Sequence, residues 1–323
     1  MPREQNSPDT PGPTELPHSR HTDDPMDDHT RDCLAAARAG AARASAGFRA
    51  DLDAERKGDG VDSVTAADRA AQRVVTDRLA ADYPAEPVVG EEGSAPDRVP
   101  ASSPAWVVDP IDGTVNFVGG HPVWATSVAR VVDGEPVAAA TVAPALNDAY
   151  VADETTAWRE PAGVTAVEGD DGDAPGGAHS AVSDTSDAAG DTSDAAGDTD
   201  RTRLSVTAES DPGQFLVNPL FGPSASDRAA FAAVAEPLLT RFGDLRRLGC
   251  AQLVLAGVAS GQLHAAVSTV ELNDWDTVAG VHLVRLAGGR VTDAGGDRWT
   301  PGATGLVASN GRAHEELLAV TRE

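Results

Sequence analysis

The sequence predicts an α/β fold in two unlike parts, an N-terminal α+β half and a C-terminal α/β half. Three observations predict it. Two Ala- and Arg-rich stretches with helical patterning stand near the start, and a series of short apolar runs bounded by turn residues follows them. The last third then alternates helix-like and strand-like pieces, as stacked helical and sheet layers require.

Taken in order, residues 1–27 are rich in Pro, His, Asp and Thr without periodicity and read as a disordered tail. Two helices are expected next, over "HTRDCLAAARAGAARASAGFRADL" (29–52) and "AADRAAQRVVTDRLAADY" (66–83), the second with Ala70, Val74 and Leu79 near one face. Strands are expected in "PVVGEE", "AWVVD", "TSVARVVDGEPVAAATVA" and "DAYVAD". The third of these holds Asp133-Gly134 between apolar runs, a hairpin signal, because both residues tolerate positive φ. After a biased segment come a helix over "SDRAAFAAVAEPLLTRFG", a helix over "CAQLVLAGVASG", a strand in "LHAAVS" and a helix over "DTVAGVHLVRLAGG" stopped by Gly288-Gly289. Strands in "GRVTD" and "GLVASN" and a closing helix over "GRAHEELLAVTRE" complete the pattern.

The biased segment runs from Glu168 to Asp200, with ten acids, no Lys or Arg, and a heptad copied back to back in "SDTSDAAGDTSDAAGDT". The heptad has no apolar seam, only Ala, so it reads as disordered low complexity rather than coiled coil. A long surface insert adds little closure entropy. The expected organisation is therefore a tail (1–27), an N-terminal half (28–155), the acidic insertion (156–202) and a C-terminal half (203–323).

Composition narrows the function. The formal charge of −26 argues against nucleic acid or an anionic membrane as partner. Lys57 is the single lysine, and every other side-chain cation is Arg or His. That balance suits a surface adapted to high salt, where the Debye length falls to about 3 Å at 1 M and self-repulsion is screened. Cys33 and Cys250 form no metal-like cluster or disulfide framework. No apolar run approaches the ~20 residues of a membrane span, and the first residues lack a signal-peptide pattern, so a cytoplasmic protein is expected.

The chemistry centres on "WVVDPIDGT" (106–114), an apolar run ending in Asp109 and Asp112. A strand emerging into a Pro-containing turn would put both carboxylates and the Ile111 carbonyl around one space, the oxygen donors a hard cation such as Mg²⁺ takes. Gly113 permits close backbone approach, and Thr114 opens a turn whose free N–H groups suit a phosphate oxygen. An Asx turn or helix cap would account for one acid but poorly for two. Three further acidic sites accompany it: Glu91-Glu92 in "VVGEEGS", Asp276 in "NDWDTVAG", and Asp62 and Asp68 in "DSVTAAD". Singly these read as a solvated loop, an N-cap and a surface acid; together they point to metal.

With these residues in view, "WVVDPIDGTVNF" resembles the first signature of the inositol monophosphatase family, and "WDTVAG" followed by "LAGG" resembles the second. "DSVTAAD", "GEEGS" and "RRLGCA" fall in the family's order, and the resemblance covers roughly residues 29–323 apart from the insertion. It implies a layered αβαβα fold similar to fructose-1,6-bisphosphatases, with two or three Mg²⁺ per active site. Carried over, Glu91, Asp109 and the Ile111 carbonyl hold the ion that activates water. Asp109, Asp112 and Asp276 hold a second, and a third, weaker one lies near Glu91. Thr114 with Asp68 orients the water and receives its proton. Gly113, Gly249, Cys250 and Ala251 face the substrate, and Lys57, in a loop like the family's mobile one, reads equally as a phosphate-closing cation or as an exposed survivor. Cys250 stands where the family has a hydroxyl residue, and is expected to be inert packing, as are Trp106 and Trp275. The implied partner is a small phosphate ester, the implied inhibitor lithium, and the expected assembly a homodimer.

The family's inositol-specific members carry a glutamate ahead of the second signature. Here Ser268 falls at that place with Glu271 three residues on, so inositol specificity is not implied. Inositol-1-phosphate and fructose-1,6-bisphosphate both stand as substrates, with a 3′(2′),5′-bisphosphate nucleotidase or a histidinol-phosphatase as alternatives. From another class, a non-catalytic metal- or ligand-binding regulator predicts loss of a ligand, and none is lost.

Overall fold

In the computed structural model, residues 26–49, 54–56, 63–92, 95–164, 200–222 and 224–322 are described. The expected tail (but for Met26 and Asp27), Lys57, Asp62 and all but the last residue of the 168–200 repeat region lie outside them.

Helix α1 (Asp28–Ser45) starts where Asp27 accepts hydrogen bonds from the Thr30 amide and hydroxyl, with Met26 buried beside it. It ends earlier than the sequence suggested, in turns over 46–49, with Arg49 in the left-handed region at φ 63°. A short antiparallel pair the sequence reading missed, β1 (Ala54–Arg56) and β2 (Ser63–Thr65), leads into α2 (Ala66–Asp82). The buried face of α2 carries Asp68, Ala71, Gln72, Val75 and Leu79. Val75, not the expected Val74, joins Leu79 at i, i+4 spacing, because the face is registered on Asp68 and Gln72 as well as on apolar positions.

Seven strands form the first sheet: β3 (Val88–Gly90), β4 (Ala105–Asp112), β5 (Ala125–Val132), β6 (Glu135–Ala143), β7 (Asp148–Ala152), β8 (Ala157–Pro161) and β9 (Thr202–Arg203), adjacent in that order. β3 and β4 are parallel and the other pairings antiparallel. The β5–β6 turn is the expected hairpin, with Asp133 at φ 52° and Gly134 at φ 78°. A five-residue helix, α3 (Thr114–Val118), follows β4.

The second sheet has the order β11-β10-β12-β14-β13, from β10 (Leu216–Pro219), β11 (Asp244–Leu245), β12 (Ala265–Ser268), β13 (Arg290–Thr292) and β14 (Leu306–Ser309). β10 and β11 were not anticipated: each is too short for an alternating pattern and is fixed by parallel pairing. Helices α4 (Ala225–Arg241) and α7 (His314–Thr321) cover its outer face, while α5 (Ala251–Ala259) and α6 (Asp274–Leu286) fill the space between the sheets. With α1 and α2 on the far side of the seven-stranded sheet, the layers run α, β, α, β, α. Apolar clusters fill each interface, the largest around α5 and α6. No helix among the described residues is long and apolar enough to cross a membrane.

Candidate metal-dependent active site

The carboxyl ends of parallel β3 and β4, helix α3 and the N-terminal turns of α5 and α6 converge on one cavity of about 560 Å³. Its wall includes Glu91, Asp109, Asp112, Thr114, Cys250 and Asp276.

Asp109 and Asp112 share a face because the strand is irregular. In an undisturbed strand, residues three apart point to opposite sides. Asp109 pairs with Ser127 but Asp112 with Ala125, so one extra residue is accommodated in β4 between them. Pro110, which has no N–H to give a ladder, sits in this bulge, and its carbonyl is taken by the Thr126 hydroxyl at 2.7 Å. Ile111 then faces away, fully buried with Phe117 and Trp124. Gly113 follows at φ 87°. A Cβ there would meet the Val123 carbonyl at 3.0 Å and Cys250 Cβ at 3.1 Å, so glycine lets the α3 and α5 turns close together.

Each acid is held differently. Asp112 accepts from the amides of Ala251 (3.1 Å) and Gln252 (2.5 Å) at the start of α5 and from the Cys250 thiol (3.1 Å). Cys250 is buried, but it is more than the packing residue expected: it donates to a candidate ligand. Burial, then Asp112's charge and hydrogen bond, push the thiol well above its usual range. Asp276 lies in the first turn of α6, bonded by Asn273 Nδ2 at 2.9 Å; Asn273, not Asp276, is the N-cap. Asp109 is 1% exposed, and its Oδ1 has no hydrogen-bond partner.

Carboxylate oxygens of Asp109, Asp112 and Asp276 lie within 4.8 Å of one another. Burial, then the charges of Asp112, Glu91, Asp276 and Asp68, drive Asp109 well above the usual carboxylate range. Burial, then Asp112, pushes Asp276 up to about 7. Burial also raises Asp112, against the hydrogen bonds from Cys250 and the α5 amides. Such a group is electrostatically incomplete without a cation. An all-oxygen donor set with an orphaned buried acceptor fits a hard divalent ion.

The remaining expected residues fall around this cluster. Glu91 lines the cavity beside Asp109. Asp68 is buried at the start of α2 and acts on Asp109 through its charge. The Thr114 hydroxyl donates to the Ile111 carbonyl at 3.1 Å. Gly113, Gly249 and Ala251 line the cavity. Trp106 is packed against Tyr83, as expected, while Trp275 reaches the cavity wall. Ser268 is fully buried and bonded within its own turn, and Glu271 is paired with Arg98.

Three amides that sequence reasoning passed over lock the frame. Gln72 grips the turn of Glu91 and Glu92 from both sides, donating to the Glu92 carbonyl (2.5 Å) and accepting from its amide (2.9 Å). Asn116 Nδ2 donates to the carbonyls of Val123 (2.8 Å) and Leu248 (2.7 Å), tying α3 to the turn before α5. Gln252 joins α5 to α6. A polar residue inside an apolar helical face was the available signal in Gln72 and Gln252.

The sequence model of the inositol monophosphatase family matches residues 26–323. The chain belongs to the inositol monophosphatase family. It is 30% identical over 271 residues to the fructose-1,6-bisphosphatase/inositol-1-monophosphatase of Thermotoga maritima, covering 83% of this chain and 86% of that one. It is 34% identical over 266 residues to the inositol-1-monophosphatase of Mycobacterium leprae, covering 81% and 79%. Among solved structures, a Thermotoga maritima IMPase superimposes with a TM-score of 0.68 at 27% identity, covering 90% of this chain and 94% of that one. Both named relatives are phosphoric monoester hydrolases, and the layered αβαβα fold is the family's.

Proposed function

We propose that this family member is a Mg²⁺-dependent phosphoric monoester hydrolase acting on a small polyol or sugar phosphate. The observation that carries the reading is the convergence of buried Asp109 and Asp112 with half-buried Asp276 around one space, with an orphaned oxygen on Asp109. Mg²⁺ bound there supplies Lewis acidity toward the phosphate and lowers the pKa of water. On this reading Glu91, Asp109, Asp112, Asp276 and the Ile111 carbonyl are the ligands. The proton of Thr114 is committed to the Ile111 carbonyl, which leaves its oxygen as an acceptor for the attacking water. Passing the water's proton on to Asp68 requires the Thr114 hydroxyl to turn from the Ile111 carbonyl to the Asp68 carboxylate, so that Thr114 gives up its own proton as it takes the water's. The turn of Gly249, Cys250 and Ala251, pinned by Asn116, faces the substrate.

Among substrates, fructose-1,6-bisphosphate is favoured. Arg228 and Arg247 line the cavity wall built from the C-terminal half, where a second phosphate finds cations. Ser268 and Glu271, the residues nearest to the inositol-contacting glutamate in sequence, are engaged elsewhere. The test is phosphate release from fructose-1,6-bisphosphate, inositol-1-phosphate, histidinol phosphate and adenosine bisphosphate at high KCl, with MgCl₂ or with EDTA. Magnesium-dependent turnover is expected, and lithium is expected to inhibit it. Arg247→Gln should raise KM for the bisphosphate at least tenfold more than for inositol-1-phosphate. Equal effects would remove the bisphosphate preference, and no turnover of any substrate would remove the enzyme reading. The acidic surface is proposed to serve high salt, the cytoplasm is the proposed compartment, and a homodimer, checked by light scattering, is the proposed assembly.

A further inference from the structure

We propose that Gln252 is a positioning residue that sets where Asp276 stands relative to Asp112, and thereby how tightly the second cation is held. The inference rests on the metal-dependent reading above. Its basis is one fully buried side chain that meets both helices of the cage. The backbone amide of Gln252 donates to Asp112 Oδ2 at 2.5 Å. Its side-chain Nε2 donates to the carbonyl of Trp275, the residue before Asp276, at 2.6 Å. Its Oε1 accepts from the Gly280 amide, one turn further along α6, at 2.8 Å. A single residue thus holds one ligand by its main chain and brackets the turn bearing another by its side chain.

Chemistry and packing both indicate that the arrangement is built rather than incidental. A primary amide buried among apolar neighbours is tolerated when both its ends are hydrogen-bonded, and here both are. The neighbours are apolar: Leu253, Val254, Leu255 and Ala256 on α5 and Val278 and Ala279 on α6 belong to the central core. Gly280 makes the contact possible, because a Cβ there would meet Leu255 Cβ at 2.5 Å and Gln252 Oε1 at 3.0 Å. The other ligands are fixed without Gln252's side chain: Glu91 sits in the turn gripped by Gln72, and Asp109 lies on the bulged strand. Loss of the amide should therefore loosen Asp276 selectively. Residues that orient metal ligands typically contribute 10–100-fold in affinity.

The experiment is calorimetric titration of the full-length protein with MnCl₂, without substrate, comparing wild type, Gln252→Met and Asp276→Asn. Methionine keeps length and volume but removes both side-chain hydrogen bonds. The expected result is two ion classes in wild type, with one weakened at least tenfold in Gln252→Met, the other within about twofold, and the same class lost in Asp276→Asn. In turnover, the Mg²⁺ concentration for half-maximal rate should rise while the rate at saturating Mg²⁺ recovers. Circular dichroism and melting establish that the variant is folded. If Gln252→Met does not fold, Gln252→Glu, which keeps an acceptor for Gly280 but opposes the Trp275 carbonyl, should show the same selective weakening. Unchanged affinities, or equal weakening of both classes, would overturn the role of Gln252. Absence of Mn²⁺ binding by wild type would instead overturn the metal reading on which it rests.

Discussion

Asp109 and Asp112 are three residues apart on one strand and face the same side of the sheet, because the pairing of β4 with β5 slips by one residue between them. The slip places two carboxylates on the α5 and α6 side and leaves Ile111 to pack with Phe117 and Trp124 on the other. Charge gathered this way in a buried space opposes folding until a cation arrives, so stability and ligand loading should be coupled.

Asp109→Asn tests that coupling. The substitution keeps volume, removes a buried charge that its neighbours oppose, and disturbs no hydrogen bond at Oδ1. In EDTA at pH 8 its melting temperature should rise, by about 2–4 °C for each ~1 kcal/mol of relieved repulsion. The stabilisation of wild type by MgCl₂ and the turnover should both vanish. A lower melting point in EDTA would show that the acids are not in conflict.

Asp112→Asn should behave differently, though it also removes a proposed ligand. A residue that only held a cation would be dispensable to the fold. Both Asp112 oxygens, however, accept hydrogen bonds, from Cys250, Ala251 and Gln252. An Asn would turn an NH₂ toward one of those donors, a loss of about 1–3 kcal/mol. Activity should fall by at least ~10³-fold and the melting point below that of Asp109→Asn, by differential scanning calorimetry. Near-normal activity would remove Asp112 from the ligand set.

The contrast between these acids marks what the sequence could and could not convey. The spacing of Asp109, Asp112 and Gly113 after an apolar run exposed the candidate ligands, and apolar periodicity exposed the helices and several of the strands around them. The bulge was hidden, because it exists only in the pairing of β4 with a strand that starts at Ala125. Short β10 and β11 were hidden for the same reason. Gln72, Asn116 and Gln252 act on partners as far away in sequence as Glu92, Leu248 and Gly280; a polar residue on an apolar face marks Gln72 and Gln252 as unusual, but nothing local names their partners.

The strand order bears on the acidic insertion. Its acidic stretch, 168–200, joins β8 to β9, the last two strands of the seven-stranded sheet, so the segment expected as insertion (156–202) takes in β8, whereas Glu91 follows β3 and Asp109 lies on β4 at the other end. Five strand spacings of ~4.8 Å separate β4 from β9, about 24 Å. Deleting residues 168–200 should leave kcat/KM within about twofold in a phosphate-release assay. A tenfold loss would give the insertion a part in catalysis.

His314 supplies an acid-sensitive joint in the C-terminal half. Its ring bonds Ser309 Oγ at 2.7 Å and Thr292 Oγ1 at 3.0 Å, linking α7 to β14 and β13. Burial, then nearby Arg290, lowers its pKa to about 4, against about 6.5 unfolded. Because the folded protein binds this proton less readily, the joint is at full strength above pH 6.5 and weakens as pH falls toward 4. The stability advantage of wild type over His314→Asn should shrink by an amount on the order of 2 kcal/mol across that window. Denaturant melts at pH 7 and pH 4.5 would measure it, and a constant difference would place the ring's titration elsewhere.

The central claim is that Asp109, Asp112 and Asp276 cage hard divalent ions. An anomalous-difference map from crystals soaked in MnCl₂ at pH 8 tests it most directly. The prediction is a strong peak within bonding distance of all three carboxylates, with a second beside Glu91 and the Ile111 carbonyl. A map with no peak among these oxygens, or with the three side chains turned to separate places, would contradict it.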